Sequence, residues 1–216
     1  TYNAYLVIDE KITLIDFVKE PFTEDLIANI ERVVPLEKID VMICNHIEPD
    51  HSGALPALAE RLPNVPIYAT AAAGRGLKQY YKRDFNLVPV KKGDTLCTGR
   101  YHFHFLPMPM VHWPDSMSTY LAEEEILFSN DAFGQHLATK ERFDDEIGLE
   151  RLLERAGNYY ANIVLPFGAQ VNKVLAEAAQ LSIRMICPSH GVILRSYIPQ
   201  MLEKYKKWAN YESDED

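Results

Sequence analysis

Only three cysteines occur in 216 residues, and no two of them form a CxxC pair. Cys44, Cys97 and Cys187 stand far apart, so neither a disulfide framework nor a thiolate zinc site is indicated. Cys44 and Cys187 fall inside apolar runs, where cysteine behaves as a small buried hydrophobe. Long hydrophobic stretches are also missing. No run approaches the roughly 20 apolar residues of a membrane span, and no basic segment followed by an apolar one opens the chain as a secretory signal would. Basic residues are in the minority, 22 against 31 acidic, for a formal net charge of −9. That balance argues against a phosphate-tracking nucleic-acid surface. Together these features exclude membrane and nucleic-acid partners and leave the cytoplasm as the expected compartment. The acidic end "ESDED" reads as a solvated terminus.

What is present is an ordinary globular composition, 47% apolar and 25% charged. The length predicts one compact α/β domain over 1–216, with no internal repeat and no linker. "AYLVIDEKITLID" reads as a hairpin turning at Asp9 to Lys11. Thr23 is expected to cap a helix with Leu26, Ile27, Ile30 and Val34 at helical spacing, ended by Pro35. Strands are predicted at 39–44, 66–70, 86–90, 95–98, 101–107, 118–123, 125–130 and 183–188. Helices are predicted at 54–62, 71–84, about 146–161, 170–182 and 196–210. Strands in two groups with helices outside them point to a layered α/β or α+β sandwich.

The chemistry concentrates in "NHIEPDHSGAL", residues 45 to 55, which crowds His46, Glu48, Asp50 and His51 between a buried strand and a helix. Three more candidates share that placement. His112 in "MVHWPDSM" follows the strand "YHFHFLP", Asp131 in "LFSNDAFG" follows "EILFS", and His190 in "CPSHGV" follows "IRMIC". Side chains just past strand ends converge on one edge of a sheet, held by a rigid scaffold. One such histidine is ordinary; seven imidazoles and carboxylates so placed predict a metal site. Seven ligands are too many for one ion and suit two sharing a carboxylate, roughly 3.5–4 Å apart. With imidazole and carboxylate but no sulfur, the ligand types leave zinc and iron both open.

HxExDH resembles the HxHxDH signature of the metallo-β-lactamase superfamily, with Glu48 where the hydrolases place a second histidine. Together with "HWPDSM", "SNDAFGQH", "YYANIVLPFGAQV" and "PSHGV", that replacement is similar to the diiron domain of the flavodiiron proteins (A-type flavoproteins). The resemblance runs from "TYNAYLV" to "KYKKWA". It implies an αβ/βα sandwich and two iron ions: His46, Glu48 and His112 on one, Asp50, His51 and His190 on the other, and Asp131 bridging. It implies reduction of oxygen to water or nitric oxide to nitrous oxide, with electrons from a flavin or rubredoxin-type donor, commonly across a homodimer. The family's diiron domain begins some tens of residues upstream of "TYNAY", and an FMN-bearing flavodoxin-like domain follows its last helix. Neither that opening segment nor a flavodoxin-type phosphate loop is found here, so FMN is expected on a separate domain or partner. A stand-alone diiron module sensing oxygen or NO is the alternative. A dinuclear zinc hydrolase is a further one, against which Glu48 argues.

Other signals are weaker. His102 and His104 share one strand face and read as a polar outer face. His136 is either a neighbour of the ligands or a surface residue. By resemblance Tyr159 is a candidate hydrogen-bond donor to bound oxygen or NO, against packing on the core. Trp113 is expected to shield the site from water. "GRG" at 74–76 lacks the third glycine of a GxGxxG loop and reads as a loop or helix start. Met108, Met110 and Met117 suit core filling or a pocket lining.

Overall fold

The computed structural model describes residues 1–213, so Asp214 to Asp216 of the acidic end lie outside the described residues. The first sheet is built from β1 (Tyr5–Val7), β2 (Ile12–Ile15), β3 (Ile39–Ile43), β4 (Ile67–Thr70) and β5 (Leu87–Val90), in that spatial order. Only the β1–β2 hairpin is antiparallel; the remaining pairs are parallel. The second sheet runs β10 (Met185–Pro188), β9 (Ile126–Asn130), β8 (Met117–Leu121), β7 (His102–Pro107) and β6 (Thr95–Cys97). Here only β10 and β9 are parallel.

Side-chain alternation sorts each strand between two cores. Ile15, Val41, Ile43, Phe103, Phe105, Met117, Phe128 and Cys187 meet between the sheets. The opposite faces, carrying Leu14, Met42 and Ile67, pack under α1 (Thr23–Glu31), α3 (Leu55–Arg61), which the short α2 (Pro49–Ser52) precedes, and α4 (Ala71–Tyr81). On the other side Leu127, Ile186 and Leu194 lie under α5 (Asp144–Ile147), α6 (Leu149–Ile163), α7 (Gly168–Ala178) and α8 (Ile198–Ala209). The order helix, sheet, sheet, helix is the predicted αβ/βα sandwich. A strand covered on both faces must be apolar at nearly every position, which is why "IDVMIC" shows no alternation.

Several local expectations are corrected. Thr23 is the first residue of α1 rather than its cap: its hydroxyl donates backwards to the Glu20 carbonyl at 2.6 Å. That helix stops at Glu31, so Val34 lies outside it. The helix expected over 54–62 is preceded by the extra turn α2, which opens on Pro49 and takes Asp50 and His51 out of the loop. Gly74 and Gly76 lie inside α4, which Thr70 caps by accepting from the Ala73 N–H. A Cβ on Gly76 would stand 2.1 Å from Ile47 Cδ1, so the glycine permits close approach of α4 to the ligand loop.

Candidate metal centre

Every loop carrying a predicted ligand leaves the same edge of the sandwich. His46 and Glu48 follow β3, Asp50 and His51 sit on α2, His112 lies between β7 and β8, Asp131 follows β9, and His190 follows β10. Two groups form, His46, Glu48, His112 and Asp131, and then Asp50, His51 and His190; within each, the potential ligand atoms lie within 4.8 Å of one another.

Asp131 stands between the groups and is 3% exposed. Its Oδ2 lies 3.5 Å from His46 Nε2 and 3.2 Å from His112 Nε2. Its Oδ1 lies 2.9 Å from His51 Nε2 and 3.3 Å from His190 Nε2. Glu48 Oε2 faces the first imidazole pair at 3.4 and 3.2 Å. Asp50 Oδ2 faces the second at 3.5 and 3.4 Å. All four imidazoles thus turn Nε2 inward.

The polar inventory fits cations. Both oxygens of Asp131, both ring nitrogens of His51 and Oδ1 of Asp50 are buried without a hydrogen-bond partner. Buried polar atoms are normally paired, and so dense a set of orphans calls for an ion. Electrostatics agree. Burial alone would lower the pKa of His46, yet hydrogen bonds to Asp115 and Glu48 push it up to about 10. His112 reaches about 9 and His190 about 10 for the same reason, with Asp131 and the neighbouring carboxylate outweighing burial. Hydrogen bonds from His112 and then His46 hold Glu48 down at about 2. Burial opposes ionisation of Asp131, but the imidazoles of His51, His112 and His190 hold its carboxyl well below the usual range. The clustered carboxylates therefore demand positive charge, which protons supply until metal ions displace them.

Residues overlooked in the sequence support this arrangement. Asp115 Oδ2 accepts from His46 Nδ1 and from the Ile47 N–H, each at 2.9 Å. Asp16, at the end of β2, accepts from the Asn45 N–H at 2.7 Å, Asn45 Nδ2 at 3.0 Å and Asn130 Nδ2 at 3.1 Å. Asn130 Oδ1 in turn accepts from the Asp131 N–H at 2.8 Å. The available signals were "HWPDS", which carries a carboxylate three residues after a ligand, and "TLID", which ends a buried strand on a charge.

The weaker candidates separate cleanly. His102 bonds Glu123 on the outer face of the sheet, and His104 lies beside Thr95 there. His136 is exposed, and its ring lies 4.9 Å from that of Tyr159. Tyr159 is 2% exposed and its ring lies 5.6 Å from His190; burial first, then the Asp131 carboxylate, raise its hydroxyl pKa well above the ordinary range. The Trp113 ring stands edge-on to His46 at 5.2 Å. Met108 and Met117 are core residues, and Met110 is half-buried.

A family model described as ODP family beta lactamase matches residues 1–191. Among curated relatives, a nitric oxide reductase of Moorella thermoacetica is 44% identical over 97% of this chain and 53% of its own length. An anaerobic nitric oxide reductase flavorubredoxin of Vibrio vulnificus is 42% identical over 99% of this chain and 44% of its own. Among solved structures, rubredoxin oxygen:oxidoreductase of Desulfovibrio gigas superposes with a TM-score of 0.93 at 39% identity, over 97% of this chain and 53% of that one. The flavodiiron protein of Giardia intestinalis gives 0.94 at 36% identity, over 97% and 52%. The chain spans about half the length of the relatives it matches.

Proposed function

The chain belongs to the ODP family of β-lactamase-like proteins, and from that premise we propose that residues 1–216 form the diiron domain of an oxygen or nitric oxide reductase. The observation that carries the proposal is Asp131, which turns one carboxylate oxygen to each pair of imidazoles. In this reading His46, Glu48 and His112 hold one iron, Asp50, His51 and His190 the other, and Asp131 bridges them. Three carboxylates against two divalent ions leave a site near neutrality without sulfur, a donor set that suits iron. The names of the relatives, nitric oxide reductase and rubredoxin oxygen:oxidoreductase, support the same chemistry.

Two ferrous ions held by these residues would supply two electrons, enough for 2 NO + 2 e⁻ + 2 H⁺ → N₂O + H₂O. Oxygen needs four electrons for two waters, so sustained turnover draws on a flavin or rubredoxin-type donor, with FMN on a separate domain or partner. The chain's own residues fix the geometry. The four Nε2 atoms are aimed inward, Trp113 covers His46 against water, and the buried Tyr159 hydroxyl is a hydrogen-bond donor for substrate beside Asp131. A homodimer would bring a partner's donor to the open edge. Three free cysteines fit a reducing compartment, the cytoplasm. Among the described residues no helix is long and apolar enough to cross a membrane.

The test is metal analysis followed by single turnover. The chain should hold two irons, fail to oxidise NADH alone, and when chemically reduced consume two NO and form one N₂O per iron pair. Zinc at both positions despite available iron, or a stable NO adduct without product in the presence of a competent donor, would refute the reductase assignment.

A further inference from the structure

The two groups of ligands match in their directly facing atoms. Each has two imidazole Nε2 atoms, one carboxylate of its own (Glu48 or Asp50) and one oxygen of Asp131. They differ one layer further out. His46 hands its Nδ1 to the Asp115 carboxylate at 2.9 Å, whereas His190 Nδ1 donates to a neutral acceptor, the Thr1 carbonyl, at 2.8 Å. His51 Nδ1 is buried with no partner at all. Asp16, the other carboxylate buried nearby, directs both oxygens to Asn45 and Asn130 and bonds no ligand.

We propose that Asp115 is a positioning residue that makes the two metal positions unequal, so that the His46 position fills first and is the more electron-rich. This rests on the two-metal reading above and adds to it an order and a cause. A carboxylate behind an imidazole fixes its tautomer and raises its basicity, and removing such a partner typically costs 10–100-fold in metal affinity. A neutral carbonyl polarises the ring less, because bonds to an ionised partner are roughly twice as strong. Asp115 is 2% exposed, so solvent does not dilute its charge. It is also fixed in place: Thr70, which caps α4, donates its hydroxyl to the Asp115 carbonyl at 3.0 Å. Asp115 lies three positions after His112, so one loop both supplies a ligand to this position and orients another.

The geometry supplies a clean variant. Both bonds to Asp115 converge on Oδ2, while Oδ1 is buried without a partner. In Asp115→Asn the amide oxygen can accept both bonds, so the charge goes and the hydrogen bonds stay. The experiment adds zinc to the metal-free chain and follows the imidazole ¹⁵N resonances. In the wild type His46 and His112 should shift with the first equivalent, and His51 and His190 with the second. In Asp115→Asn the first step should weaken by about 10–100-fold, merging with the second or falling behind it, while the second keeps its affinity. An unchanged order and affinity in the variant, or equal weakening of both steps, overturns the proposal. The wild-type order is informative without any variant: His51 and His190 moving first, or all four together, overturns it equally. A wild-type chain that never takes a second zinc refutes the two-metal reading as well, and that outcome is recognised by its stoichiometry.

Discussion

Asp16→Asn tests whether the clamp behind the ligand loops is electrostatic. The carboxylate accepts three hydrogen bonds, one on Oδ1 from the Asn45 N–H and two on Oδ2 from Asn45 Nδ2 and Asn130 Nδ2. An amide has one acceptor oxygen. Placed at the Oδ2 position it keeps two bonds as neutral ones and sets an N–H₂ against the Asn45 N–H. Losing one charge-assisted bond and weakening two others amounts to about 3 kcal/mol. For a chain of this size that lowers Tm by about 6–12 °C. Flipping Asn45 offers no escape, since its Oδ1 accepts from Thr119 at 2.7 Å. The pH dependence has a defined sign. Burial raises the Asp16 pKa despite its three donors. A carboxyl raised on folding contributes most below its unfolded pKa, near 3.9, and loses that contribution as pH climbs through the folded value. The Tm gap between wild type and variant should therefore be widest in acid and narrow as pH rises above about 4. Calorimetry of the metal-free proteins at several pH values measures both effects. A drop below about 2 °C at every pH would show that the clamp is not ionic, and a gap that widens toward neutrality would show that its three donors outweigh burial at Asp16.

Three further outcomes follow from the same geometry. Asp131→Ala should lose both irons while His112→Asn loses one, as read by metal analysis; full metal content in Asp131→Ala would remove it from the bridge. Gly76→Ala gains about 1 kcal/mol of helix propensity but drives a methyl onto Ile47 Cδ1, for about 1–3 kcal/mol of overpacking. Ile47→Val deletes that carbon, so the double-mutant cycle should show favourable coupling of at least about 1 kcal/mol, and additivity would contradict the contact. Of the three thiols only Cys97 is exposed, and burial raises the other two in pKa, Cys187 to about 12. One cysteine per chain should react promptly with a thiol reagent under native conditions; three prompt equivalents would contradict the packing.

The part of the centre that was legible in the sequence is the part made of rare residues at strand ends. His46, His112 and His190 stood out because few histidines occur and each lies in the loop after an apolar run, His51 because it closes the HxExDH cluster, and the fold's layers followed from those same runs. The supporting residues were not legible, for a physical reason. Asp16, Asn45, Asp115 and Asn130 are common polar types with no periodicity, and the bonds that join them to the centre include partners 29 to 114 residues away. The helix expected over 71–84 is α4, Ala71–Tyr81, although its first turns carry the two glycines of "AAAGRG". Thr70 caps that helix and Ile47 needs the space, so tertiary contact overrides the residue preference.

The backbone explains why asparagine and aspartate hold the centre together. Asp16 and Asn130 both adopt left-handed conformations, at φ of 55° and 53°. Among residues with a side chain, Asp and Asn tolerate that region best. Asp16 directly follows β2 in one sheet and Asn130 ends β9 in the other, and each turns the chain where the sheets open toward the ligands. Asn130 then donates to Asp16 at 3.1 Å, joining the two sheets at that point. The next residue along the chain is Asp131. The carboxylate between the two ligand groups is therefore anchored to both sheets through its neighbour Asn130, whose Oδ1 accepts from the Asp131 N–H. Its oxygens face the four ligand imidazoles at 2.9–3.5 Å, the placement needed to share them between two ions once those rings give up their protons.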